Sequence, residues 1–393
     1  MATLAACRSN DSEKSPLPPN IIFLMADDLG YGELGSYGND SIRTPHLDRM
    51  AREGLVFTDY HTNGAVCTPT RAALLTGQYQ QRSGLEGVIY VRGETRQTGL
   101  NPETLTLADV FQGAGYATGI MGKWHLGYQA AYNPIHFGFD EFWGYISGNI
   151  DYHSHYDNAG IYDWYHNLDT VIEEGYSTDL ITQHAVDFIE QHQTDPFFLY
   201  VPQESPHVPF QARRDSAYRF PGREFSYQGP IGDRKRAYRE MIEQMDEGIG
   251  KILAKVEALN LAERTLIIFT SDNGGINSYA RQGGLRNFKG YLWEGGHRVP
   301  AIAHWPGRIS PGQTDQLTMS FDWFPTLLHM ADISLPEGFS PDGINLTPML
   351  FGARLPNRQV FWRYRDQLAA REANWKLMLT KTDTLLFDLA SDL

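Results

Sequence analysis

Four apolar segments of the 393-residue chain each run into side chains able to do chemistry. Residues 20–26 lead into Asp27-Asp28, 116–121 into Lys123-Trp124-His125, 197–201 toward His207, and 266–270 into Asp272-Asn273. Any one of these groups alone says little. Paired aspartates after a strand are most often a turn or a helix cap, and Lys-x-His is most often surface. Their shared placement carries the weight, because open parallel sheets gather their sites beyond the carboxyl ends of the strands. A fifth group, Cys67-Thr68-Pro69-Thr70-Arg71, stands at an expected helix start, where free backbone N–H groups and the helix dipole favour an anion. A cysteine there would have a lowered pKa and could be a nucleophile. The plainer alternative is a buried cysteine beside a helix cap.

These groups need a scaffold. Residues 20–26, 197–201, 266–270 and 299–304 read as buried strands, being apolar without alternation. Thr44-Pro45 opens a helix, with Thr as N-cap and Pro at the first position, and Gly54 closes it; Thr68-Pro69 and Gly77 repeat the signature. Helices are also expected at 104–112 and 236–259. This alternation predicts an α/β fold, a mostly parallel sheet sandwiched by helices. From about Pro356 the pattern changes to short strands at 360–365, 375–380 and 384–387, the expected start of a small C-terminal antiparallel subdomain. The expected organisation is a disordered tail or tether at 1–18, a catalytic domain at 19–355, and the opening of that subdomain at 356–393, apparently truncated.

Thirty-three basic against 47 acidic residues give a net charge of −14, which speaks against a nucleic-acid partner. Two cysteines exclude a multi-disulfide scaffold. No run of about 20 apolar residues is present to cross a membrane. Leu4-Ala5-Ala6-Cys7 is similar to a bacterial lipobox but lacks the apolar stretch that precedes one. Cys7 is therefore read either as a lipid anchor or as a chance cysteine in a tail.

Cys67-x-Pro69-x-Arg71 followed by Ala72-Ala73-Leu74-Leu75-Thr76-Gly77 resembles the signature of the type I sulfatases, whose cysteine is converted after translation to Cα-formylglycine. Asp27-Asp28-Leu29-Gly30-Tyr31-Gly32, Gly122-Lys123-Trp124-His125-Leu126-Gly127, Ser271-Asp272-Asn273-Gly274-Gly275, and Lys289 with Trp293-Glu294-Gly295-Gly296 agree with that family in order and spacing, from about residue 19 to 350. Gly138-Phe139-Asp140 and Gly148-Asn149-Ile150-Asp151-Tyr152 look like the arylsulfatase B-like and bacterial polysaccharide sulfatases.

The resemblance implies an alkaline-phosphatase-like fold and hydrolysis of sulfate esters. Asp27, Asp28, Asp272 and Asn273, with the converted Cys67, would hold a divalent cation. Oxygen donors suit a hard ion, Ca2+ in most of the family, and Mg2+ takes the same ligands. The ion would hold a sulfate oxygen and polarise the S–O bond. Formylglycine hydrates to a geminal diol: one hydroxyl attacks sulfur and displaces the alcohol, and deprotonation of the second expels sulfate. By the same resemblance Arg71 orients the diol and helps to hold Lys123. Lys123, Lys289 and His207 neutralise sulfate charge, His125 accepts the diol proton, and either His207 or Lys289 protonates the leaving alcohol.

The implied partners are a sulfated polysaccharide or its oligosaccharides and a formylglycine-generating enzyme, with a periplasmic or outer-membrane lipoprotein location in a bacterium. Two alternatives accompany this reading: a phosphodiesterase or phosphonate monoester hydrolase, which shares the fold and can share the cysteine motif, and an unmodified, inactive glycan-binding protein. The aromatic-rich stretch 145–165, with Asp151, His153 and His155, is expected to line the substrate pocket, since sugars stack on aromatic faces. Specificity is expected to depend also on loops 213–233 and 276–287. Arg92, Arg213-Arg214 and Arg234-Lys235-Arg236 read as a solvated basic face, the alternative being contact with extra sulfates on a polymer.

Overall fold

The computed structural model describes residues 18–223, 225, 227–229 and 232–392. Cys7 and the rest of 1–17 lie outside the described residues, and with them the tail and lipid-anchor expectations.

Strand β1 (Asn20–Ala26) sends Ile21, Phe23 and Met25 into one apolar cluster and Ile22, Leu24 and Ala26 into another. Successive side chains of a strand point to opposite faces, so a strand apolar on both belongs in mid-sheet, covered on both sides. The other main strands are β2 (Leu55–Phe57), β3 (Ala117–Lys123), β4 (Glu141–Tyr145), β5 (Phe197–Pro202), β6 (Thr265–Ser271), β7 (Ala301–His304) and β8 (Gly312–Thr314). They line up as β8-β2-β7-β6-β1-β5-β3-β4, and two short strands, Tyr165–His166 and Asp169–Thr170, extend the sheet past β4. The five strands β6-β1-β5-β3-β4 are parallel. The expected strand at 299–304 is shorter, and it runs antiparallel to both β6 and β2.

Helices α1 (Pro45–Glu53), α4 (Ser177–Gln191) and α5 (Arg234–Ala258) cover one face. Helices α2 (Cys67–Thr76), α3 (Leu107–Gly113) and α6 (Trp323–Met330) cover the other. Thr44, Pro45 and Gly54 bound α1 as expected. Helix α2 departs from expectation: Val66, in extended conformation, is the cap, and Cys67 is itself the first helical residue. Pro69 is tolerated inside the first turn because N–H groups there have no helical acceptor. Gly77 closes α2 at φ 66°, and a Cβ there would meet the Phe324 ring at 2.6 Å. Helix α3 starts at Leu107 rather than 104, because Thr106 and Asp109 form a reciprocal capping box. Strand β4 and helix α4 have no counterpart among the expected elements.

A second sheet is an antiparallel meander of β9 (Gln359–Tyr364), β10 (Gln367–Glu372), β11 (Trp375–Leu379) and β12 (Thr384–Asp388). Strand β10 was not anticipated, since Leu-Ala-Ala-Arg-Glu is a helix-favouring string; its pairing with β9 and β11 decides its state. Val360, Trp362, Tyr364, Ala369 and Met378 on the inner face pack against Ala65, Val66, Leu292 and Phe321. Buried ion pairs fasten the same face: Arg371 to Asp59 at 2.6 Å and Lys376 to Glu294 at 2.7 Å. The sheet thus abuts the start of α2. No helix among the described residues is long and apolar enough to cross a membrane.

Candidate active site

The register Ala26↔Ser271 sets the ends of β1 and β6 level, so Asp27-Asp28 and Asp272-Asn273 emerge side by side. Lys123 ends β3, and His207 follows β5. All four sequence-distant groups, with Cys67, Arg71 and Lys289, meet at this edge. Asp27, Asp28, Asp272, Asn273 and Lys123 are fully buried, and Arg71, His125 and His207 nearly so.

Ion pairs knit the cluster together. Lys123 Nζ donates to Asp27 Oδ2 at 2.5 Å. Arg71 donates through Nε and Nη2 to Asp272 Oδ2, and through Nη1 to the Lys123 carbonyl at 3.1 Å. The expected tie between Arg71 and Lys123 is therefore made through the backbone. Asp272 Oδ1 accepts the Asp28 N–H, and Asn273 Nδ2 donates to Asp28 Oδ1 at 2.7 Å. Lys289 Nζ bridges Asp28 Oδ1 at 2.5 Å and Cys67 Sγ at 3.3 Å. Cys67 Sγ also lies 3.4 Å from Asp27 Oδ1.

Burial opposes the charge on Lys289, but the Asp28 carboxylate together with Cys67, Tyr227 and Asp27 outweighs it and holds the ammonium well above the usual lysine range. The cysteine corrects its expectation. Burial first, then the carboxylates of Asp27 and Asp272, push the Cys67 thiol far up rather than down. A helix N-terminus alone would acidify it; burial of the thiol, with two acids beside it, reverses the sign.

His125 stands at φ 58° and donates from Nε2 to the Ile89 carbonyl at 2.9 Å. Its Nδ1 is buried without a partner. Burial, then the charge of Lys123, holds its pKa well below that of an ordinary histidine, so Nδ1 presents a free lone pair. Gly148 makes room for the ring, because a Cβ there would lie 2.8 Å from Nε2. His207 donates from Nδ1 to the Val208 carbonyl at 2.7 Å, leaving Nε2 3.5 Å from Asp28 Oδ2 and as acceptor of the Tyr227 hydroxyl at 3.2 Å.

The donor set fits a hard cation. Asp28 Oδ2 and Asn273 Oδ1 are buried oxygens with no hydrogen-bond donor, and an unsatisfied buried acceptor is costly unless something binds it. Ligand atoms of Asp27, Asp28, Cys67 and His207 lie within 4.8 Å of one another. Asp272 is held by Arg71 and the Asp28 N–H. A second group, His61, Glu294 and His297, has similar spacing. There, Lys376 Nζ contacts Glu294 Oε1 at 2.7 Å and His297 Nε2 at 2.9 Å, so an ammonium takes the place of an ion.

Cys67, His125, His207 and Lys289 line a cavity of about 700 Å3. Its walls come from 88–91, Tyr128, 147–149, Tyr227, Tyr291 and 364–367. This differs from expectation. The stretch 145–165 contributes small residues and Asn158, whereas Tyr145, Tyr152 and Trp164 are buried core. Asp151 accepts the N–H groups of His153, Ser154, Tyr218 and Arg219, which is a structural task. His155 stacks on Trp164. Loop 276–287 does not line the cavity; its Arg281 N–H is bound by Glu33. Arg213, Arg214 and Arg236 are paired with acids of α4, α5 and Asp215. Tyr227, from the expected specificity loop 213–233, does line the cavity; the wall at 88–91 and the β9–β10 turn are what sequence reasoning missed, because neither carries a local motif.

The family model described as "Sulfatase" matches residues 19–333. The chain is 36% identical over 386 residues to N-acetylgalactosamine-6-sulfatase of Homo sapiens, covering 91% of this chain and 70% of that protein. It is 37% identical to arylsulfatase A of Homo sapiens, covering 88% and 70%. Among solved structures, Ps i-CgsB in complex with k-i-k-neocarrahexaose superposes with a TM-score of 0.84 at 28% identity, over 95% of this chain and 87% of that one.

Proposed function

The chain belongs to the sulfatase family and is a sulfuric ester hydrolase with the expected alkaline-phosphatase-like fold, and from this premise we propose that its substrates are sulfate esters of carbohydrates, a sulfated polysaccharide or its oligosaccharides. The observation that carries this reading is the setting of Cys67. It opens α2 with Sγ between Asp27 and Lys289, at the base of a cavity roomy enough for a sugar. The carbohydrate named with Ps i-CgsB and the amino sugar named with N-acetylgalactosamine-6-sulfatase support the substrate class.

In this reading Cys67 is converted to formylglycine by a formylglycine-generating enzyme. The conversion supplies an oxygen nucleophile where the thiol is soft and un-ionised. Asp27, Asp28 and Asn273, with Asp272 braced by Arg71, hold a divalent cation, Ca2+ or Mg2+, which supplies Lewis-acid stabilisation of sulfate charge. Lys123 holds the Asp27 carboxylate in place. Lys289, beside position 67, offsets the charge of a bound sulfate. His125 Nδ1, with Nε2 locked on Ile89, takes the proton whose removal releases sulfate. His207 Nε2, the ring nitrogen left free by Val208, serves as the acid for the leaving alcohol once it has itself taken up a proton, which burial of the ring opposes. A periplasmic location belongs to the same proposal, since polysaccharides are met outside the cytoplasm.

The test is co-expression with the maturation enzyme, followed by desulfation of defined carrageenan, chondroitin, heparan and fucan oligosaccharides read by mass. The peptide holding position 67 should lose one sulfur and two hydrogens and gain one oxygen. A preference for an aryl phosphodiester over an aryl sulfate, or full activity with unconverted Cys67, would overturn the proposal.

A further inference from the structure

Strands β9 and β10 are joined by a two-residue turn, Arg365-Asp366, since Tyr364 pairs with Gln367. Such turns favour Asn-Gly or Asp-Gly, because their backbone needs positive φ. Here Arg365 adopts φ 54°. A long charged side chain is a poor choice for that backbone, and strained positions tend to coincide with function. Asp28 and His125, both in the active site, share the feature.

The turn is held against the segment that carries Lys289. Gln367 Oε1 accepts the Leu292 N–H at 3.1 Å. The largely buried Tyr364 ring comes within 4.0 Å of where a Cβ on Gly290 would stand. The Arg365 guanidinium lies over that ring, 5.1 Å from its centroid, a favourable seat for a cation. Arg365 is exposed, lines the same cavity as Cys67, and makes no ion pair among the described residues. Asp366 lines the mouth beside it without pairing to it. With a net charge of −14 for the whole chain, this guanidinium is not part of a general basic surface.

We propose that Arg365 is a specificity-determining residue that binds a second anionic group of the substrate, a sulfate ester or a carboxylate carried beside the scissile sulfate. This rests on the carbohydrate-sulfate reading above. The guanidinium suits either oxyanion through paired N–H donors, and it is exposed where Cys67 of the same cavity is buried. Asp366 would accept a neighbouring sugar hydroxyl.

Binding is measured by calorimetry on protein with unconverted Cys67, so that no turnover intervenes. Three disaccharide probes are compared: monosulfated and otherwise neutral, the same sugar with a second sulfate, and the same sugar with a uronate carboxylate. Wild type should bind one dianionic probe about tenfold tighter than the monosulfated one, a typical margin for one charge-assisted contact. The preferred probe identifies the group. R365N should abolish the preference and R365K should keep part of it. Asn accepts positive φ, so the Tm of R365N should equal or exceed that of wild type, separating loss of recognition from loss of the turn. No preference in wild type, no binding, or a preference surviving in R365N overturns the assignment. Failure of converted wild type to desulfate any probe would instead overturn the carbohydrate-sulfate reading.

Discussion

Arg71 and Asp272 stand 201 positions apart and meet through two N–H donors on one carboxylate oxygen, Nε at 3.1 Å and Nη2 at 2.9 Å from Oδ2. A third donor, Nη1, holds the last carbonyl of β3. One side chain of α2 thus ties together the ends of β3 and β6. R71A leaves a buried carboxylate uncompensated, which costs about 3–5 kcal/mol, and should abolish hydrolysis. R71K keeps the charge but not the planar set of donors, so it should fall between R71A and wild type. Urea unfolding of the three proteins decides this; an R71A midpoint equal to that of wild type would refute it.

The two orphaned oxygens, Asp28 Oδ2 and Asn273 Oδ1, predict metal dependence. Chelation should abolish hydrolysis, and Ca2+ or Mg2+ should restore it. Saturating ion should also stabilise the protein, by about 2.7 kcal/mol at one hundred times Kd. D28N should lose both the activity and the ion-dependent rise in Tm. Activity that persists after exhaustive chelation would contradict the cation site.

His207 and Lys289 separate by leaving group. Lys289 is held by Asp28 at 2.5 Å and also touches Cys67, whereas the nearest contact of His207 Nε2 is the Tyr227 hydroxyl at 3.2 Å. A missing general acid hurts a poor leaving group more than a good one. H207A should therefore lose at least about tenfold more rate on a sugar sulfate than on 4-nitrophenyl sulfate. K289A should lose similar factors on both. The reverse pattern would assign the acid to Lys289.

His155 gives a pH signature remote from the chemistry. It is 1% exposed, stacks on Trp164 and donates to the Gly175 carbonyl at 3.2 Å. Burial lowers its pKa from 6.5 to about 4. The unfolded chain therefore takes a proton between pH 6.5 and 4 that the folded chain refuses. Stability is fully present above 6.5 and is lost as pH falls toward 4, by at most about 3 kcal/mol. H155Q cannot titrate and should lose less over that window. Parallel stability–pH curves for the two proteins would dismiss the effect.

By itself the sequence determined the chemistry of the floor. Asp27-Asp28, Lys123, His125, His207 and Asp272-Asn273 follow apolar strands, and a parallel sheet brings such ends together whatever their separation along the chain. The α/β sandwich was legible for the same reason, since strands apolar on both faces demand two covers. Only the tertiary structure decided the rest. Whether Cys67 is acidic depends first on how deeply packing buries the thiol and then on two carboxylates delivered by β1 and β6, and together these reverse what the helix start implies. Strand β10 has a helix-favouring composition and is a strand because its neighbours pair with it. Glu294 belongs to a recognisable motif, yet its partner Lys376 lies on the small sheet, and the pair closes an interface rather than a reaction site. The cavity mouth was hidden most completely. Residues 88–91 and Arg365 come from a separate loop and a second sheet, and proximity created only by packing leaves no periodicity or spacing to read.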